Sequence, residues 1–196
     1  MSDASVFKDV LSTWEARETE EFCELVNDAL GRSDAAWEFG PDPLDDDKML
    51  FSLSLRNDPD WTTAVSKRLE IPFQYGEVGA TLGIPPRHWD RYFEYVDRDN
   101  QVREIDGETW AFRMSPTDDP NMVRLSVFAD LPPSVDWFDA VSIMLTGELG
   151  ECNVAECICQ VERIDNPQGS APFADLRAAF ARRFPGCHYY AVLSEV

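Results

Sequence analysis

One ten-residue pattern occurs twice in this sequence and constrains the fold more than any other feature. Residues 60–69 and 136–145 both read Asp-Trp-x-x-Ala-Val-Ser-x-x-Leu. In each copy the tryptophan, valine and leucine stand at positions i, i+4 and i+8, on one apolar face of a helix. A strand-like apolar run precedes each copy, beginning at Met49 and at Met122 and ending in a turn with Asp and Pro. The repetition predicts a strand, a turn and a tryptophan-led helix, used twice.

Helices are predicted in the first thirty residues and, before a last strand, near the end of the sequence, which indicates an α+β fold: an antiparallel or mixed sheet with flanking helices. Residues 1–30 show apolar helical faces, and Gly31 is suited to end the last of them. Residues 172–184 carry an apolar residue every three or four positions. Two domain organisations fit: a single domain over residues 1–196, or two fused lobes, an acidic helical and strand-helix lobe at 1–90 and a meander with a β-α-β-α-β order at 91–196.

Strands and turns are predicted between these helices. Residues 49–55 alternate in polarity, which predicts a strand. Residues 91–114 predict three short strands in an antiparallel meander. Its second turn, Asp106-Gly107, is a strong hairpin signal because Asp-Gly accepts the backbone of a two-residue turn.

Negative charge is the strongest compositional feature: 37 acidic residues stand against 17 basic ones, for a formal net charge of −20. Such a surface repels phosphate backbones and anionic lipids, which disfavours direct nucleic-acid or membrane binding. A macromolecular partner should be basic. Residues 1–60 hold 16 of the acidic residues and 5 of the basic ones, so the excess is greatest there. An acidic cellular background would give the same sign without any partner, and this alternative stays open.

The sequence predicts neither secretion nor membrane insertion. Residues 1–10 lack the basic start and long apolar run of a signal peptide. No apolar stretch approaches the length of a bilayer span. Five cysteines, an odd number, fit reduced thiols better than a disulfide framework. We therefore expect a cytoplasmic protein.

Two acidic clusters supply candidate partner-binding residues. Four glutamates crowd the predicted N-terminal helices: Glu18, Glu20, Glu21 and Glu24. Like charges at this spacing are mildly unfavourable unless a basic group meets them, although a solvated helix face is the commoner interpretation. Three consecutive aspartates stand in a predicted polar turn: Asp45, Asp46 and Asp47. A calcium loop alternates its carboxylates around a glycine and ends in a distant glutamate, so no metal site is expected in this turn.

Residues 71–90 are predicted to be the least regular segment, with three glycines, two prolines and the pair His88 and Trp89. The glycine spacing matches neither a phosphate-binding loop nor a dinucleotide fingerprint. Long irregular loops are often functional, so His88 and Trp89 join the candidate partner-binding residues. A lone surface histidine beside prolines is more often polar cover.

No pattern predicts catalysis, and we expect neither a catalytic residue nor a cofactor. Five possible zinc ligands lie in the last quarter of the chain: Cys152, Cys157, Cys159, Cys187 and His188. Zinc ligands usually pair on tight turns, whereas Cys157 and Cys159 fall inside a strand predicted over residues 151–165. Core thiols explain them more simply. Cys187 and His188 are neighbours on a predicted last strand, where they point to opposite faces and cannot form a catalytic pair.

The order of elements in the second half resembles that of a known group of proteins. An acidic strand, a helix ending in GELGE, an alternating strand and a closing helix resemble uncharacterised acidic bacterial α/β proteins of the toxin-immunity and ribonuclease-inhibitor-like kind. The resemblance covers residues 37–184, and its motif is Leu149-Gly150-Glu151 before a strand. It implies no catalytic residues. It implies a small acidic cytosolic protein that acts by covering another molecule.

These observations lead to one leading hypothesis and three alternatives. The leading hypothesis is a non-enzymatic inhibitor or immunity-type protein that blocks a basic protein, such as a nuclease toxin, or a nucleic-acid-handling complex. The first alternative is a nucleic-acid mimic directed at a host defence complex. The second is a small enzyme or ligand-binding protein that uses residues 71–90 as a lid, which a pocket with convergent polar groups would favour. The third is a structural subunit that self-associates through exposed aromatic residues.

Overall fold

The computed structural model describes residues 2–43 and 45–185, with the backbone alone at Asp46. Within this part of the chain, the boundary between two compact units lies between Ile84 and Pro85. Both units combine helices with a mixed sheet, and the second also has an antiparallel hairpin, so the predicted α+β class is confirmed. No helix in the described residues is both long enough and apolar enough to span a bilayer.

Unit 1 ends at Ile84 and packs its helices with a mixed sheet. Its elements are α1 (Asp3–Ser12), α2 (Thr19–Leu30), β1 (Trp37–Asp42), β2 (Asp45–Leu53), α3 (Pro59–Leu69), β3 (Phe73–Tyr75) and β4 (Val78–Leu82). The strand order is β1-β2-β4-β3, with β1 antiparallel and β4 parallel to β2. The core joins Phe7 of α1 to Phe51 of β2 and Phe73 of β3, whose rings meet Phe7 edge to face. Gly31 has a φ of 74° and ends α2, as the sequence predicts.

Unit 2 begins at Pro85 and contains a second mixed sheet and a separate hairpin. Its elements are β5 (Tyr92–Val96), β6 (Val102–Asp106), β7 (Ala111–Pro116), β8 (Val123–Phe128), α4 (Trp137–Leu149), α5 (Glu151–Cys157), β9 (Ile158–Arg163), β10 (Ala171–Pro172) and α6 (Leu176–Arg183). The larger sheet has the order β10-β7-β8-β9, and β5 pairs with β6 alone. The core includes the predicted stripe of the closing helix, with Phe173, Leu176 and Phe180 buried.

The predicted duplication is confirmed, and the repeated segment is longer than the sequence pattern. In each unit an antiparallel hairpin, β1–β2 or β7–β8, leads into the tryptophan-led helix, α3 or α4. A later strand, β4 or β9, then lies parallel to the second hairpin strand. The valine and the leucine of the pattern are core residues in both copies: Val65, Leu69, Val141 and Leu145. Each unit is therefore organised around a hairpin, a helix and a parallel strand.

The hairpin predicted at Asp106-Gly107 is wrong. β6 pairs with β5, but β7 belongs to the other sheet. Gly107 lies in a tight place, since an added Cβ would lie 2.2 Å from Cε at the flexible end of Met144 and 3.2 Å from Arg91 Cβ. The chain changes sheets at this glycine, and the expected meander is two separate hairpins.

Two further segments differ from their predicted structure. Residues 151–157 form α5, and the strand begins only at Ile158. Asn153 stabilises this helix by donating its side-chain N–H to the Leu149 carbonyl at 2.8 Å, which a strand would not allow. In the segment predicted to be irregular, residues 73–82 form β3 and β4, joined by a turn at Gly76 with a φ of 62°. Between Gly83 and β5 the chain has no regular structure.

Candidate functional site: an arginine cleft in unit 2

The segment before β5 lies against the last turn of α4 and forms one wall of an open cleft. The Arg87 N–H donates to the Gly147 carbonyl at 2.7 Å. The Trp89 indole packs directly on Gly147, where an added Cβ would lie 2.1 Å from ring carbon Cζ2. Because a rigid ring cannot move aside as a flexible chain does, only glycine permits this contact. Gly147 therefore positions Arg87 and Trp89 on the helix.

Glu148, the next residue of α4, is the buried charge of this site, with a side chain only 1% exposed. Trp89 Nε1 donates to Glu148 Oε1 at 3.1 Å. Arg91 Nε lies 3.1 Å from Oε1 in an ion pair whose N–H is not aligned for a hydrogen bond, while its Nη2 donates to Oε2 at 3.5 Å. Arg177 Nε lies 3.8 Å from Oε2. A buried carboxylate needs such partners, since an unpaired charge is strongly destabilising.

Arg177 of α6 also binds the end of α4. Its Nε donates to the Glu148 carbonyl at 2.9 Å, and its Nη2 donates to the Gly147 carbonyl at 3.2 Å. Nη2 also donates to the Arg87 carbonyl at 2.8 Å. The last carbonyls of a helix lack intrahelical donors and carry partial negative charge, which a guanidinium satisfies. One side chain thus joins α6, α4 and the preceding segment.

These contacts surround a cleft of about 790 Å³, here called the arginine cleft. Its lining residues are Arg87, His88, Trp89, Asp90, Arg91, Glu148, Ala174, Arg177, Ala178 and Ala181. The lining thus combines three arginines and two carboxylates with three small alanines. The Arg87 guanidinium lies over the Trp89 ring, 5.7 Å from its centroid. Arg91 has a φ of 65°, a strained conformation that tends to occur at functional sites.

The sequence predicts part of this site. His88 and Trp89 were candidates because of the irregular segment, and both line the arginine cleft, with His88 exposed. Arg87, Arg91 and Arg177 were missed, as was Glu148. One sequence signal could have identified Glu148, which follows Gly147 at the end of an otherwise apolar helix. An acidic residue at such a position is either buried or ends the helix.

The predicted acidic candidates of α2 lie at the surface of unit 1. Glu18 precedes the helix, and Glu20, Glu21 and Glu24 are exposed on it. Glu21 pairs with Arg17 at 2.7 Å. Glu20 and Glu24 form no ion pair with another residue of the described chain. The helix therefore presents unneutralised carboxylates to solvent.

The three aspartates lie at the start of β2 rather than in a turn, which corrects the prediction. Asp45 pairs with Lys48 at 2.7 Å, and this hydrogen-bonded pair lowers the pKa of Asp45. Asp47 is exposed, and the side chain of Asp46 lies outside the described residues. The strand extends to these residues because β1 pairs with β2 as far as Asp42 and Asp45.

Metal binding and thiol chemistry gain no support in the described part of the chain. No group of three or more His, Cys, Asp and Glu residues there is placed to hold a metal ion. Cys157 is buried and Cys159 is exposed. Burial, with neighbouring Glu156 and Glu151, raises the pKa of Cys152 and keeps its thiol protonated. Cys187 and His188 lie outside the described residues.

Comparison with known proteins yields no assignment: no family model, curated protein or solved structure matches the chain. The resemblance to toxin-immunity and ribonuclease-inhibitor-like proteins therefore stays a prediction. The functional proposals below depend on geometry and charge alone.

Proposed function

We propose that the protein binds a ligand through an anionic group, a carboxylate or a phosphate, received in the arginine cleft. One observation carries this proposal. In a protein of net charge −20, three arginines line one cleft, and Asp90 and the buried Glu148 are the acidic residues of its described lining. Guanidinium groups present planar forks of donors that match carboxylate and phosphate oxygens.

Glu148 has a supporting role in this proposal. Its Oε1 lies 3.1 Å from both Arg91 Nε and Trp89 Nε1. Both side chains are therefore positioned before a ligand binds. A site fixed in advance loses less conformational entropy on binding. The ligand would contact the guanidinium groups where they line the cleft, with His88 and Trp89 beside it.

The overall charge favours a small ligand over a polyanion. At physiological ionic strength charges are screened over about 8 Å, so a small anion inside the cleft responds mainly to the nearby arginines. A nucleic acid would extend across the acidic surface and be repelled along its length. We therefore expect binding of small carboxylates or phosphates and none of DNA or RNA.

The competing interpretation is structural: the arginines only fasten the segment before β5 to α4 and α6. Arg87 separates the two interpretations. Its side chain lines the cleft over Trp89, whereas the contacts to Glu148 come from Trp89, Arg91 and Arg177. If the cleft binds an anion, removing the Arg87 side chain should weaken binding while the contacts of Glu148 with Trp89, Arg91 and Arg177 are retained.

Isothermal titration at low salt with inorganic phosphate, acetate and citrate tests the proposal. We expect at least one anion to bind, and Arg87→Ala to weaken it about tenfold, the effect of losing one charge-assisted hydrogen bond. Arg163→Ala is the matched control, since it removes the same charge from an exposed position of β9 outside the cleft. No binding of any anion, or equal weakening by the control, would contradict the proposal.

A second candidate function is the one the sequence favours: an inhibitor or immunity-type protein that covers a basic partner, or a nucleic-acid mimic. The exposed and unneutralised Glu20 and Glu24 on α2 support it. A partner would be captured from lysate at low salt and released as salt rises. Reversing both charges, Glu20→Lys with Glu24→Lys, should then slow association and reduce its salt dependence. An unchanged association rate would remove α2 from the interface.

A further inference from the structure

Unit 1 contains a pocket whose chemistry is opposite to that of the arginine cleft. It has a volume of about 340 Å³ and lies between the end of α1 and the β3–β4 turn. Two aromatic residues, Trp14 and Tyr75, line it together with two carboxylates, Glu15 and Glu77. No lysine or arginine of the described chain is part of the lining. We call it the aromatic pocket.

The side chains of the aromatic pocket differ in how firmly they are held. Trp14 is partly buried and packs edge to face on Phe39, with ring centroids 5.8 Å apart. Tyr75 is 46% exposed, and both Glu15 and Glu77 are exposed. The tryptophan is thus a fixed wall, and the other three groups face solvent. A cation could enter this arrangement from solution.

At two other places in unit 1, an aromatic ring and a carboxylate together bind a lysine or arginine side chain of the same unit. Lys8 Nζ lies 5.0 Å from the centroid of the Phe73 ring and 2.9 Å from Glu70 Oε2. The Arg32 guanidinium carbon lies 5.2 Å from the Trp61 ring centroid, and its Nε lies 2.5 Å from Asp34 Oδ1. In both places an aromatic face attracts the cation and a carboxylate supplies the counter-charge.

We propose that the aromatic pocket binds a cationic side chain, a lysine ammonium or an arginine guanidinium, presented by a basic protein partner. The pocket is a third aromatic and carboxylate combination, and no described residue supplies its cation. Charge complementarity favours a basic protein surface as the source of the occupant, because residues 1–60 carry 16 acidic residues against 5 basic ones. A long cationic side chain can enter while the rest of the partner stays outside.

The choice of a protein partner rests on the second candidate function, to which the pocket adds a specific anchor. Steering by α2 and binding in the pocket are separate properties. Charge reversal on α2 tests the first, and a lysine analogue in the pocket tests the second. Either can fail alone, and neither depends on anion binding in unit 2.

The experiment is a titration of the full chain with Nα-acetyl-lysine methylamide, followed by NMR at the Trp14 indole N–H. Loss of one signal in Trp14→Phe assigns it. We expect a saturable shift with a Kd on the order of millimolar, as a few kcal/mol of interaction allows. The norleucine analogue has the same aliphatic stem without the ammonium group, and it should produce no comparable shift.

Two variants locate the binding. Tyr75→Ser and Glu77→Gln should each weaken binding about two- to fivefold, the effect of an exposed cation–π contact or ion pair. Both positions are exposed, and dispersed amide signals verify that each variant is folded. Asp60→Asn removes the same charge from an exposed position of α3 outside the pocket and should leave binding almost unchanged. Equal binding of the norleucine analogue, or equal weakening by Asp60→Asn, would overturn the proposal.

Discussion

The two units contain the same hairpin, helix and parallel strand, but the tryptophan-led helix ends differently in each. In unit 1, α3 stops at Leu69, and Glu70 turns the chain away with a φ of 57°. In unit 2, α4 continues through Gly147 and Glu148, both buried, to Leu149. The repeated segment supplies the scaffold in both units. The residues that follow the repeated pattern supply the candidate site in only one.

Both units satisfy a helix end with an arginine from another helix, and this shared feature sharpens the contrast. Arg68 of α3 donates to the Ala29 and Leu30 carbonyls at the end of α2 at 2.8 and 3.0 Å. Arg177 does the same for Gly147 and Glu148. In unit 2 alone the capped helix end also carries a buried carboxylate. In unit 2 the arginine that caps the helix end therefore also helps to hold a charged site.

The largest effect is expected from Glu148→Gln. The change leaves Arg91 and Arg177 without their buried counter-charge, which should cost about 3 kcal/mol of unfolding free energy. Urea unfolding followed by tryptophan fluorescence measures it. The matched variant in unit 1 is Glu70→Gln at the end of α3, where the carboxylate is 64% exposed and pairs with Lys8. We expect a change below about 1 kcal/mol there. Equal losses of unfolding free energy in the two variants would contradict the proposed difference between the ends of α3 and α4.

A smaller loss, about 2 kcal/mol, is expected from Gly147→Ala. Replacing glycine by alanine inside a helix normally stabilises it by about 1 kcal/mol. Here the new Cβ would lie 2.1 Å from the Trp89 ring, and overpacking reverses the sign. Gly40→Ala in β1 is the control, since an added Cβ there meets no atom within 4 Å. A neutral or stabilising Gly147→Ala would show that Trp89 does not need to lie against α4.

The sequence predicts the scaffold better than the site, because the scaffold depends on apolar spacing within short segments. The repeated pattern is detectable since Val65 and Leu69 face the core at helical spacing, as do Val141 and Leu145. The false hairpin at Gly107 shows the limit. The Gly107 N–H donates to the Arg91 carbonyl at 3.0 Å, and β7 pairs with β8 and β10, so the path of the chain here depends on residues outside the turn.

The site could be predicted only where its residues share one segment. His88 and Trp89 stand together in the irregular stretch, and the sequence identifies both. Arg91, Glu148 and Arg177 lie in separate segments that meet only after folding. Each is individually an ordinary charged residue, and a single sequence holds no signal that joins them.

The next effect concerns the start of the two helices. Asp136 accepts from the N–H groups of Phe138 and Asp139 and pairs with Arg98 at 2.5 Å. The Asp58 side chain accepts one cap hydrogen bond within the described residues, from the Trp61 N–H at 2.8 Å. We expect Asp136→Ala to cost about 1.5 kcal/mol and Asp58→Ala about 1 kcal/mol. Urea unfolding tests the order.

Asp60→Ala is the control for these two caps. It removes an exposed acid from the first turn of α3 without removing the cap, so the change should stay below about 0.5 kcal/mol. A larger loss from Asp58→Ala than from Asp136→Ala would contradict the proposed difference between the helix starts.

The smallest effect is a change in pH dependence at the β5–β6 hairpin, which stands outside both repeated segments. The buried Asp97 carboxylate accepts from the backbone N–H groups of Gln101 and Asp99 at 3.0 and 2.9 Å and from Arg103 Nε at 2.6 Å. The Gln101 hydrogen bond, followed by Arg103, holds the pKa of Asp97 well below its usual range. The stability gained is therefore complete above the unfolded pKa of about 3.9 and is lost as pH falls toward the folded value.

Thermal unfolding of Asp97→Asn across pH tests this sign. The asparagine keeps the size of the side chain but cannot ionise, so Tm should fall below that of the unchanged protein at pH 7. The difference in Tm should shrink as pH falls from about 5 to about 3, because Asp97 of the unfolded chain takes up a proton over this interval while the folded aspartate stays ionised, and asparagine does neither. Asp99→Asn removes one charge from the same turn and retains every contact of the Asp97 carboxylate. A difference that widens in acid would mean that the hairpin is held by contacts other than this ionised carboxylate.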